Sequence, residues 1–98
     1  MAIDDSSIIA ELSVHKIEPG HYTFAMSHGG EVLYEDAGFT SIEEAISSAN
    51  NQEGPICGFE IAYQGVVIGT YLCEELEHVV EEVVRRAVYL LAIIAGER

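Results

Sequence analysis

The sequence predicts an α+β domain: an antiparallel sheet of four to five strands with two helices on one face. Three observations predict it. Three short segments alternate apolar and polar residues, the period of a half-buried strand, and two more read as strands between turns. Two further segments carry apolar residues at i, i+3, i+4 and i+7, the period of a helix packed by one face. Turn residues between them give the order β-β-β-α-β-β-α. The chain has 98 residues, 49% of them hydrophobic, which suits a single domain over 1–98 with its own core.

Residues 1–7 are polar and expected to fray. From Ala10 the chain alternates, with Ala10, Leu12 and Val14 on one side and Glu11, Ser13 and His15 on the other. Glu18-Pro19-Gly20-His21 reads as a turn, because Pro pre-sets φ and Gly accepts φ > 0. Tyr22, Phe24 and Met26 form the inner side of a second strand, and Ser27-His28-Gly29-Gly30 turns into a third over 31–35. The first helix is expected near 42–50. Thr40 or Ser41 caps it, Glu43 or Glu44 completes a capping box, and Ile42, Ala45, Ile46 and Ala49 make its apolar face. After Gly54-Pro55, Cys57, Phe59, Ile61 and Tyr63 alternate in a fourth strand. Gln64-Gly65 is a two-residue hairpin turn into 66–72, and that turn pairs Cys57 with Leu72 and sets Cys73 across from Ile56.

The last helix, expected over 74–95, changes character halfway. Its first half sets Glu74, Glu75, Glu77, Glu81 and Glu82 around apolar positions, whereas residues 87–95 are apolar all round. A helix that is hydrophobic on every side needs cover on every side. Leu76, Val80, Val83, Ala87, Leu90 and Ile94 fit a seam facing the core. The helix spans roughly 34 Å against roughly 23 Å for a seven-residue strand, so its apolar end should overhang the sheet by roughly two turns. Val88, Tyr89, Leu91, Ala92, Ile93 and Ala95 are therefore the expected interface of a homo-oligomer, most simply a two-fold dimer. The alternative cover is the chain's own start, with Ile8 and Ile9 folded over the helix end.

Seventeen acidic residues against four basic ones give a net charge of −13. Such a chain repels phosphate backbones, and Lys16, Arg85, Arg86 and Arg98 are too few for a basic stripe, so no nucleic-acid binding is expected. A basic protein partner would suit the charge. No apolar run reaches membrane-spanning length and no secretory leader is legible, so a cytoplasmic location is expected, with Cys57 and Cys73 as free thiols. The hairpin register keeps the two cysteines on different cross-strand pairs, which disfavours a disulfide.

Candidate chemistry is sparse. His15, His21, His28 and His78 are scattered. His78 neighbours Glu74, Glu75, Glu81 and Glu82 at helical spacing, a pattern that an exposed imidazole among carboxylates explains better than a metal site. Ser27-His28-Gly29-Gly30 is the most site-like loop, but it joins two strands, whereas a phosphate-cradling loop leads into a helix. Ser41-Ile42-Glu43-Glu44-Ala45, after strands and a Gly-Phe-Thr turn, resembles the hairpin-then-helix segment of HicB-type antitoxin domains over about a dozen residues, largely a capping box plus an apolar face. No function is carried over from that resemblance.

The expected function is a small acidic interaction or regulatory domain, non-enzymatic and without cofactor or metal, that self-associates through its last helix. Two alternatives belong to other classes. One is an acidic inhibitor that occupies the basic groove of a nucleic-acid-binding protein. The other is a small enzyme using His28 with Glu31, Glu35 or Asp36 as acid–base groups.

Overall fold

The computed structural model describes residues 8–51 and 56–95; the expected fraying of 1–7 lies outside them. The elements are β1 (Ile8–Glu18), β2 (His21–His28), β3 (Glu31–Phe39), α1 (Ile42–Asn50), β4 (Ile56–Tyr63), β5 (Val66–Leu72) and α2 (Cys73–Ala95). They form one five-stranded sheet, ordered β3-β2-β1-β4-β5, with both helices on one face. Three of the four neighbouring pairs are antiparallel as expected, but the remaining pair, β1 and β4, is parallel. Connectivity explains the difference. Three strands end opposite the starting edge, α1 carries the chain back across the sheet, and β4 must then run the same way as β1.

The apolar side of each strand lies under the helices. Ala10, Leu12, Val14, Phe24, Met26, Phe59, Ile61, Tyr63 and Ile68 are buried there with Ile42, Ala45, Ile46 and Ala49 of α1 and Leu76, Val83 and Ala87 of α2. α1 covers β1 to β3, α2 covers β4 and β5, and the helices touch each other. Phe24 stacks on Phe39 at 5.5 Å between ring centres. The turns follow their residues: Gly29 and Gly30 take φ of 62° and 86°, and Gln64 and Gly65 take 52° and 84°, the paired left-handed geometry of a two-residue hairpin.

Ser41 caps α1 by accepting a 3.0 Å hydrogen bond from the Glu44 amide, while the Glu44 carboxylate accepts from the Thr40 amide and hydroxyl at 2.6 and 2.9 Å. These bonds, the Thr40 amide first, hold the Glu44 carboxyl below its ordinary range. Ser41→Ala is expected to cost about 1 kcal/mol of stability in urea titration. Because the folded Glu44 has the lower pKa, its contribution is present above the unfolded value and is lost as pH falls through the folded one. Glu44→Gln should therefore flatten the decline of stability on acidification.

The β4–β5 hairpin departs from a regular ladder. Tyr63 pairs with Val66 and Ala62 with Val67, but Ile61 pairs with Gly69, Phe59 with Tyr71 and Gly58 with Leu72. Ile68 is the extra residue of a β-bulge, so every later pair is shifted by one from the unbroken register. The buried Ile68 side chain joins the core, and its carbonyl accepts a 3.2 Å hydrogen bond from Arg86 Nε of α2. Gly58 is required where this ladder is tightest. A Cβ there would stand 2.8 Å from the Tyr71 carbonyl oxygen and 3.2 Å from Leu72 Cα, both backbone. Gly58→Ala is expected to destabilise by roughly 1–3 kcal/mol, read as a lower urea midpoint.

Candidate functional site

α2 follows β5 without a loop. Glu75 substitutes for a capping side chain at the junction, its carboxylate accepting from the Leu72 amide at 3.1 Å. Asn50 Nδ2, at the end of α1, donates to the Cys73 carbonyl at 3.1 Å and ties the two helices together. Although one continuous helix was expected, Val79 is non-helical (φ −124°, ψ 16°) and divides α2 into two segments. No Pro or Gly marks this kink in the sequence; Val79 and Val80 pack half-buried against the core.

The second segment runs back along β5 and is anchored where Arg86 meets Ile68. Only two more strand residues remain, to Val66, covering roughly 7 Å. Residues 87–95 continue for roughly 13 Å, so a little over one turn projects past the strand, less than the two turns expected. Ile94 displays the consequence. It lies seven residues beyond buried Ala87 on the same helix stripe, yet it is 53% exposed because the sheet has ended. Val88, Tyr89 and Ile93 are 51%, 63% and 41% exposed on the outward side, and Ala92 is exposed beside them.

Of the residues expected at an interface, Val88, Tyr89, Ala92 and Ile93 thus form a contiguous exposed apolar surface. Leu91 instead packs half-buried against the core with Leu90. Ala95 belongs to the helix, and its side chain lies outside what is described. Ile8 and Ile9 do not fold over the helix end. They begin β1 and pair with Ile56 and Gly58 of β4. A groove continues from this surface along the β5 edge of α2, lined by Tyr71, Glu75, Val79, Arg85, Arg86 and Tyr89 among others. Sequence pattern missed it, because the groove depends on how α2 lies against β5.

The other candidates are dispersed. His28 is exposed at the tip of the β2–β3 hairpin opposite Glu31, whereas Glu35 and Asp36 lie farther along β3 beside a shallow depression that includes His15. Asp36 accepts a local 2.8 Å hydrogen bond from the Ala37 amide. His78 borders a depression with Leu72, Glu74, Glu75 and Glu77. Among the described residues no group of three or more His, Cys, Asp or Glu side chains converges as a metal site would require. The carboxylates spread over β3, the start of α1, the first half of α2 and the helix-free sheet face, where Glu11 and Glu60 are cross-strand neighbours. Against protein-family models, curated proteins and solved structures, the chain has no match.

Proposed function

We propose that this protein is a small non-enzymatic interaction domain that pairs with a second copy of itself through the projecting end of α2. The exposure of Val88, Tyr89, Ile93 and Ile94 on one helix end carries the proposal. Contiguous apolar patches are uncommon on monomers and mark association surfaces. Burying two or three such side chains contributes roughly 3–9 kcal/mol before the cost of association.

Charge selects the arrangement. Two chains of −13 repel each other, and the nearest acidic run, Glu81 and Glu82, lies on the same helix as the patch. A two-fold antiparallel crossing near residue 90 brings Val88 and Tyr89 of each protomer against Ala92 and Ile93 of the other. It leaves the two Glu82 residues roughly 25 Å apart along the axis, more than two Debye lengths at physiological salt. A parallel crossing would set the glutamates side by side. Antiparallel pairing thus uses the apolar end and keeps the acidic halves apart.

Hydrogen exchange as a function of concentration tests the location. Amides of 88–95 should exchange several-fold more slowly near 0.1 mM than at low micromolar concentration, as the monomer share for a micromolar Kd falls from about one half to less than about one tenth. Protection that is independent of concentration there would remove the proposal.

A further inference from the structure

The bulge at Ile68 has a second effect, at the far end of the hairpin. The ladder ends with Gly58 opposite Leu72, and one residue beyond that pair stand Cys57, in β4, and Cys73, the first residue of α2. The regular register offsets these residues by one; the bulge places both one step beyond the same terminal pair. The ladder pair beside them sets Cα atoms about 4.5–5.5 Å apart, against the 4.4–6.8 Å that a disulfide spans. A side-chain contact points the same way. Cys73 Sγ lies 3.6 Å from the Ile56 carbonyl oxygen, the peptide group that leads into Cys57. Both cysteines are free and only half-buried, so a small reagent can reach them.

We infer that Cys57 and Cys73 form a reversible intrachain disulfide that staples the start of α2 to the start of β4, with a small-molecule disulfide as oxidant. The Cys57 thiolate attacks the oxidant, breaking its S–S bond, releasing one small thiol and leaving a mixed disulfide. The Cys73 thiolate then displaces the second small thiol. One S–S bond is broken and one formed, the two protein protons leave with the small thiols, and the oxidant accepts the two electrons. Cys57 is assigned the first attack because burial, and then the neighbouring Cys57 itself, raises the Cys73 thiol above its ordinary range. The inference concerns one chain alone and stands whether or not copies pair.

The test exposes the native full-length chain at 25 °C to oxidised glutathione, then quenches with acid and alkylates. Intact mass and a non-reducing peptide map follow. A loss of two hydrogens with Cys57 linked to Cys73 is expected, reversed by dithiothreitol. The thermal midpoint should rise by about 10 °C, because the bond closes a loop of about 16 residues. Cys73→Ser should stop at a glutathione adduct on Cys57. Glutathione adducts on the wild type without the internal bond, linkage only between chains, or no reaction would each overturn the inference.

Discussion

Val83→Glu is expected to leave the domain unfolded. Val83 is 1% exposed and shares its helix stripe with Leu76 and Ala87, which are equally buried against the sheet. A carboxylate there has no cation among the core residues, all of which are apolar. Burying an unpaired charge costs several kcal/mol, and taking the proton instead also costs stability. A domain of this size has on the order of 5–10 kcal/mol in total. Far-UV circular dichroism and a urea titration read the outcome. A variant within about 1 kcal/mol of the parent would mean that the second segment of α2 is not part of the core.

Ile93→Glu, ten residues later on the same helix, is expected to do the opposite: to keep the fold and abolish pairing. Ile93 is 41% exposed and faces away from the sheet, so the glutamate remains in water within the monomer. In the pair the substitution occurs twice. It removes two apolar side chains, each already partly buried in the monomer and worth roughly 1 kcal/mol in the pair, and brings two new negative charges together. The dissociation constant should rise at least 100-fold, from a loss of about 3 kcal/mol or more. Sedimentation equilibrium checks this, with thermal unfolding in dilute solution as the control for folding. An unchanged dissociation constant would place any association elsewhere on the molecule.

The contrast between these two positions was largely legible in the sequence. Apolar spacing places Leu76, Val83 and Ala87 on one stripe, and the all-round apolar stretch after Arg86 exceeds what one sheet can cover. Ser41 and Glu44 were equally legible, because a capping box is a local contact between residues three apart. Three features depend on tertiary placement and were not. The parallel β1–β4 pair follows from where α1 returns the chain, which no strand pattern records. The kink at Val79 has no Pro or Gly to signal it. The bulge at Ile68 is silent because Val66, Val67 and Ile68 suit a strand in either register, yet it moves every later pair by one. It thereby gives Arg86 a carbonyl to cap and brings Cys57 and Cys73 one step beyond the same ladder pair.

Light scattering behind size exclusion tests self-association through α2 most directly. At about 0.1 mM, on the order of 100-fold above a micromolar Kd, the wild-type chain should elute at twice its monomer mass, and Ile93→Glu at the monomer mass. A strictly monomeric wild type at that concentration would contradict the proposed pairing.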